Sequence, residues 1–369
     1  MSLEYRPGRN VGGEFYFNRR VITPDSLLSQ NQSSADARAE RQRNKDAGNL
    51  FLVFECADSR NISISANQSE VRAVAAAADF ESFSPLLADK SFKGIILVGH
   101  FLGSDLETGK PPEGCGGRSV KRKLLEGAKP QSDIEEWVEE HLADSDIILD
   151  LFHQSRKALV HTDKELLLLA RDQLDQTLYP IMAQLTTPVT PMSIDIHNIN
   201  REQVYKHGIP HLTSYQLRGS VFEGVLDKYY SERFPRLWLD QGALRKQNPK
   251  ALLMTTDTSP VELIFPELAE IPGSVFVETI ARKNAGNGRI DISERDITCA
   301  VKQADYPVSQ FSNLSTIIVT TEKIDQSDRI INHLKRKPKV QHWMEGSNHN
   351  FISGQINNGV LEAARFSPK

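Results

Sequence analysis

Cysteine, long apolar runs and an excess of charge of either sign are all scarce in this sequence. Its 369 residues include three cysteines, too few for a disulfide framework in a chain of this length. No stretch of about 18 apolar residues occurs, which argues against a membrane span. The formal net charge is -4, so nothing favours nucleic-acid binding. We therefore expect neither nucleic acid nor membrane among the partners, and a polar N-terminus without an apolar signal core favours a cytoplasmic protein.

Short apolar runs alternate with longer helix-favouring stretches along the chain. The runs are short enough to predict buried strands at Asn49–Glu55, Gly94–Gly99, Ala251–Met254, Ser274–Val277 and Ser315–Val319. Composition and periodicity predict helices at Glu70–Phe80, Ile134–Leu142, Lys164–Leu178, Ile290–Gln303 and Asp328–Leu334. This alternation predicts an α/β fold with mainly parallel sheets covered by helices.

The alternating pattern starts again in the second half of the chain, which predicts an internal duplication. The length also suits two domains. We place the boundary after the Gly208-Ile209-Pro210 turn, giving repeats of residues 1–212 and 213–369. Residues 26–48 are polar and rich in Ala and Arg, and we expect them to form a helical arm of the first repeat that lies on another surface.

Three potential metal ligands follow predicted strands or loops of the first half. Cys56 and His100 each follow a buried strand, and Cys115 comes shortly afterwards. The carboxyl ends of parallel strands face one crevice, so these side chains are expected to converge there. Two thiolates and one imidazole suit zinc, and three protein ligands leave a fourth position open for water or substrate. Taken singly, a cysteine after a strand is more often a core residue, so the hypothesis depends on the combination.

A carboxylate and a guanidinium lie close to Cys56 in the sequence. Asp58 could orient a water on the metal, and Arg60 could hold Asp58 by a bidentate ion pair. The alternative is that Asp58-Ser59-Arg60 caps a helix.

The motifs Cys56-Ala57-Asp58-Ser59-Arg60, Gly99-His100 and Cys115-Gly116-Gly117 together resemble the signature of the β-class carbonic anhydrases. The resemblance implies that Cys56, His100 and Cys115 bind one zinc ion, with Asp58 and Arg60 as the catalytic dyad. It also implies a lyase, carbonate dehydratase, in which zinc-bound hydroxide hydrates carbon dioxide reversibly to bicarbonate.

The second half resembles the same family in its framework but not in its ligands. Thr255 or Thr256 stands in place of the first Cys, and Glu322 and Asp325 stand near the places of the other ligands. The resemblance thus implies an intrachain pseudo-dimer of two repeats with zinc in the first alone, which could associate further into homo-oligomers. Because the family shares its site across a dimer interface, Gln247 and Phe276 are the implied substrate-binding residues. The alternative is that Gln247 is a polar loop residue and Phe276 a core residue.

One departure from the family keeps other functions open. Fourteen residues, 101–114, separate His100 from Cys115, where the family has two. Such an insert could cover the site and change what enters, which would suit a zinc hydrolase acting on another small electrophile. A catalytically inactive zinc-binding protein is the second alternative, with Asp58 closing the site as a fourth ligand.

Overall fold

A computed structural model of the chain shows two five-stranded, mainly parallel sheets flanked by helices. It describes residues 22–56, 69–74, 89–102, 132–160, 162–173, 177–186, 204–206, 208–213, 216–224, 249–269, 275–280, 292, 294–346 and 349–367. None of the helices within these ranges is long and apolar enough to cross a membrane.

The first sheet has the strand order β2-β1-β3-β4-β5. Its strands are β1 (Leu50–Cys56), β2 (Ser69–Val74), β3 (Phe92–Phe101), β4 (Glu165–Asp172) and β5 (Leu178–Gln184). The first four run parallel, and β5 pairs antiparallel with β4. A short antiparallel pair, β6 (Val204–Lys206) and β7 (Ile209–His211), lies beside β5.

The second sheet repeats this topology. Its order is β9-β8-β10-β11-β12, formed by β8 (Ala251–Thr255), β9 (Val275–Thr279), β10 (Thr316–Thr321), β11 (Asn350–Asn357) and β12 (Val360–Phe366). Again four strands are parallel and the last is antiparallel. Counted in chain order, both sheets read 2-1-3-4-5, and their edge strands β2 and β9 contact each other.

Helices pack on the faces of both sheets. The first half contributes α1 (Pro24–Ser33), α2 (Ala35–Asp46), α3 (Asp133–His141) and α4 (Ser145–Leu159). The second contributes α5 (Val261–Ile264), α6 (Pro266–Ala269), α7 (Glu294–Gln310), α8 (Ile324–Lys335) and α9 (Pro338–Met344). Side chains alternate along a strand, so Leu52 and Phe54 pack with α4 while Phe51 and Val53 point to the other face.

One face of each sheet is covered in part by a segment that precedes the other sheet in the chain, and Ile264 and Phe265 of the second half share this role on the second sheet. Leu27 of α1 is buried against Leu253 and Ile318 of the second sheet. Conversely, Phe222 in residues 216–224 is buried against the first sheet, where its ring stacks on Phe51 at 5.7 Å. The predicted helical arm therefore does lie on another surface, and that surface belongs to the second sheet.

The five strands named above are present, and a further predicted strand, Met192–Ile196, lies outside the described residues. Two predicted helices were wrong in the residues that the structure describes. Residues 70–74 of the predicted helix Glu70–Phe80 instead belong to the edge strand β2, which pairs with β1. Most of the predicted helix Lys164–Leu178 is instead β4 (Glu165–Asp172), whose Leu166–Ala170 segment is fully buried between β3 and β5. Pairing on both sides overrides the helix propensity of its leucines.

Candidate metal centre

Two adjacent strands bring Cys56 and His100 together. Strands β1 and β3 are parallel neighbours, and Cys56 is the last residue of β1 while His100 is the penultimate residue of β3. Both side chains therefore reach the carboxyl end of the first sheet, where the sequence placed them. His100 is fully buried and Cys56 is half-buried.

The third member of this cluster is Asp144, which the sequence analysis did not single out. A Cys56 Sγ, a ring nitrogen of His100 and a carboxylate oxygen of Asp144 all lie within 4.8 Å of one another. The Oδ2 atom of Asp144 is 3.8 Å from Nε2 of His100, and Asp144 is only 3% exposed. We call these three residues the metal cluster.

Backbone contacts fix Asp144 beside His100. The His100 N–H donates to Oδ1 of Asp144 at 3.1 Å, and the Ala143 N–H donates to the His100 carbonyl at 2.8 Å. Gly99 makes this approach feasible, because a Cβ at that position would lie 2.5 Å from Cδ1 of Leu142 and 3.2 Å from Oδ1 of Asp144. The connection between α3 and α4 is thus held against the end of β3.

The chemistry of the metal cluster fits a divalent transition metal. Thiolate, imidazole and carboxylate are the three side-chain groups that bind zinc in proteins. The donors are buried or half-buried at the end of a parallel sheet, where open α/β proteins bind ligands. The cluster could therefore hold a metal ion, although the donor set does not by itself select zinc over related ions.

A buried ion pair lies close to the cluster. Arg171 of β4 is the register partner of His100, and its Nη2 lies 3.2 Å from Oε2 of Glu55, the residue before Cys56. Because β3 lies between β1 and β4, this pair bridges the two strands on either side of His100. Burial raises the pKa of Glu55 to about 7, with Arg171 opposing the rise and Glu262 of α5 adding to it. Glu262 belongs to the second half of the chain, so charges of both halves act here.

Four of the predicted site residues, Asp58, Arg60, Cys115 and Gln247, lie outside the described residues. Phe276 is described: it is 5% exposed on β9 and packs against Phe311 and Tyr306, with ring centroids 5.5 and 6.2 Å away. This environment is a hydrophobic core, as the alternative interpretation of Phe276 expected, and its role in substrate binding stays a prediction.

Hydroxyl groups occupy the corresponding edge of the second sheet. Oγ1 of Thr320 donates to Oγ1 of Thr255 at 2.8 Å, and the Asp257 N–H donates to the same Thr255 oxygen at 3.0 Å. Asp325, predicted near a ligand position, has a side chain 92% exposed beside Arg365. In the described ranges, no second group of three His, Cys, Asp or Glu side chains lies as close together as the metal cluster.

Comparisons with known proteins add little to this geometry. No protein-family model matches the chain, and no curated protein matches it in sequence. Among solved structures, it is similar to the luciferase-like enzyme from the nonluminescent Zophobas morio mealworm, at 10% identity and a TM-score of 0.24. That match covers 93% of this chain and 74% of the other, and a score this low carries no argument about fold or function.

Proposed function

We propose that the chain is a zinc-dependent enzyme that hydrates carbon dioxide reversibly to bicarbonate, as its resemblance to the β-carbonic anhydrases implies. The observation that carries the proposal is the convergence of Cys56 and His100 at the carboxyl ends of β1 and β3. These two residues are the described part of the motif set on which the resemblance depends.

The metal would be held by Cys56 and His100, with Cys115 as the further ligand that the resemblance implies. A zinc ion bound there would supply Lewis acidity, lowering the pKa of a coordinated water to about 7. The burial of His100 and Asp144 gives this chemistry a site of low dielectric constant, in which electrostatic interactions are strong.

The protein groups would orient the reactants. By the resemblance, Asp58 would accept a hydrogen bond from the attacking water, and Arg60 would hold Asp58 in place. Gln247 would donate a hydrogen bond to the bicarbonate formed, from the second repeat into the site of the first. The shared strand order, the contact between β2 and β9, and the effect of the Glu262 charge on the pKa of Glu55 support such a composite site in an intrachain pseudo-dimer.

The direct test is stopped-flow carbon dioxide hydration on protein of known zinc content. We expect the protein to contain about one zinc ion per chain and to hydrate carbon dioxide. Cys56→Ser should lose both the zinc and the activity. Gln247→Ala should keep zinc and lower turnover by about 10-fold or more. Cys299→Ser is the matched thiol control, because Cys299 lies on α7 of the second half.

The outcomes separate the proposal from its alternatives. Zinc without hydration would contradict the proposed reaction, and turnover of an activated ester would then favour a zinc hydrolase. Full activity in Gln247→Ala would contradict the composite site alone.

A further inference from the structure

Asp144 occupies a helix N-cap without capping the helix. An Asp at this position normally accepts a hydrogen bond from the N–H two or three residues on. The chain has such caps elsewhere: Ser132 accepts from the Glu135 N–H at the start of α3, and Thr23 accepts from the Ser26 N–H at the start of α1. The Asp144 carboxylate makes no such bond to α4 and accepts from the His100 N–H instead. Its side chain is thus directed from its own helix towards the end of β3.

The second carboxylate oxygen of Asp144, Oδ2, lies near the His100 ring. At 3.8 Å, Oδ2 of Asp144 is too far from Nε2 of His100 for a hydrogen bond. Nitrogen and oxygen ligands about 2.0–2.2 Å from a tetrahedral metal lie roughly 3.3–3.6 Å from one another, which is closer to the observed 3.8 Å than a hydrogen-bond length is. The separation between these two atoms therefore fits two ligands of one ion better than a direct hydrogen bond.

The burial of Asp144 and His100 also favours a cation at this point. Asp144 is 3% exposed and His100 is fully buried, with Cys56 next to both. A carboxylate in such a place is stabilised by a cation that it coordinates. A divalent ion shared with Cys56 and His100 would also meet the thiolate and the imidazole, while the His100 N–H donates to the other carboxylate oxygen.

We infer that Asp144 is a metal ligand, so that Cys56, His100 and Asp144 form a Cys-His-carboxylate site for zinc or a similar divalent ion. This assignment puts Asp144 in the place of Cys115 in the Cys-His-Cys set that the resemblance implies, and it makes a metal ligand of a residue outside every motif. It rests on the proposed metal but not on the proposed reaction, so a failure to hydrate carbon dioxide would leave it standing.

The test is the affinity of the full chain for Co²⁺, measured by chelator competition and by the visible spectrum of the ion. Asp144→Asn keeps an oxygen that can accept from the His100 N–H but removes the anionic ligand. We expect it to lose more than about 100-fold in affinity, since even outer-shell changes at metal sites cost about 10–100-fold. Asp146→Asn is the matched control, because it removes the same charge from the first turn of the same helix.

A second variant tests the assignment by replacing the carboxylate with another metal-binding group. Asp144→Cys places a thiolate where the carboxylate stood, so thiolate-to-cobalt charge-transfer absorption should increase if this position is in the coordination sphere. Unchanged charge-transfer absorption in Asp144→Cys, or an affinity loss below 100-fold with an unchanged ligand-field spectrum in Asp144→Asn, would overturn the assignment. Far-UV circular dichroism of the apo proteins confirms that each variant is folded.

Discussion

Two buried glutamates, Glu55 and Glu278, differ in the groups that lie beside their carboxyls. Glu55 faces Arg171, which partly offsets the cost of burying its charge. Glu278 on β9 is 3% exposed, and its Oε2 has no hydrogen-bond partner among the described residues. Burial therefore raises the pKa of Glu278 to about 8, so its carboxyl is mostly protonated in the folded state at neutral pH.

Glu278 should make folding stability depend on pH. In the unfolded chain the carboxyl ionises near pH 4.5, whereas in the folded protein it keeps its proton to about pH 8. Its contribution to stability is therefore complete below pH 4.5 and is lost as the pH rises from 4.5 to 8, by on the order of 1 kcal/mol per pH unit. Glu278→Gln cannot ionise, so its unfolding free energy should rise relative to the parent protein between pH 5.5 and 8.5, as measured by urea denaturation.

The control for this prediction is Glu140→Gln, which changes an exposed glutamate on α3. Its unfolding free energy should follow that of the parent protein at every pH. If the unfolding free energies of Glu278→Gln and the parent protein changed with pH in the same way, burial would not be keeping Glu278 protonated.

Sequence reasoning identified Cys56 and His100 because each directly follows a recognisable apolar strand. It missed Asp144, whose only local signal is that of an ordinary helix N-cap. Asp144 reaches His100 because Gly99 leaves room for the connection from α3 to α4. These segments come together only in the folded sheet, so the local sequence does not reveal the contact. The same holds for Glu55 and Arg171, which pair because β3 lies between their strands.

At the scale of elements, strands were predictable where apolar runs were short and bounded, as in β1, β3 and β10. Prediction failed for β4 because Leu-rich runs suit a buried helix and a buried strand equally well. It failed for β2 because an Ala-rich stretch favours a helix locally, and pairing with β1 decides otherwise. Sheet partners are not encoded within the segment, so these two errors have one cause.

Helix α1 offers a specific test of how an element is anchored. Asn31 is 2% exposed; its Nδ2 donates to the carbonyls of Gly359 and Ile264 at 2.8 and 3.1 Å, and its Oδ1 accepts from the Leu361 N–H at 2.9 Å. Asn31→Ala leaves these buried backbone groups without their partner, so we expect a loss of about 2–4 kcal/mol in unfolding free energy. Urea denaturation measures the loss, and hydrogen exchange should show it in α1 and β12 first.

Gln32→Ala is the matched control for Asn31, because Gln32 is the exposed neighbour on the same helix. It should change the unfolding free energy by less than about 0.5 kcal/mol. If the two substitutions destabilised the protein equally, the hydrogen bonds of Asn31 would not be what holds α1 on the second sheet.

At the scale of the whole molecule, the two sheets exchange their covering segments. The chain before the first sheet supplies Leu27 to the second, and the chain before the second sheet supplies Phe222 to the first. Two separate domains joined by a linker would each cover their own sheet. In this chain each half supplies part of the apolar cover of the other half's sheet, so we expect each core to be incomplete without the other half, as in an exchange between two fused subunits.

Dividing the chain after Leu212 should therefore produce two halves that need each other. The 1–212 fragment would lack Phe222 over Phe51, and the 213–369 fragment would lack Leu27 over Leu253. Each fragment alone would expose an apolar sheet face, so we expect it to aggregate or to unfold. Co-expressed fragments with a tag on one should purify together as a 1:1 complex by light scattering. Two fragments that each behaved as stable monomers would show that the exchanged segments are not needed to complete the cores, and the fused-dimer interpretation would then be wrong.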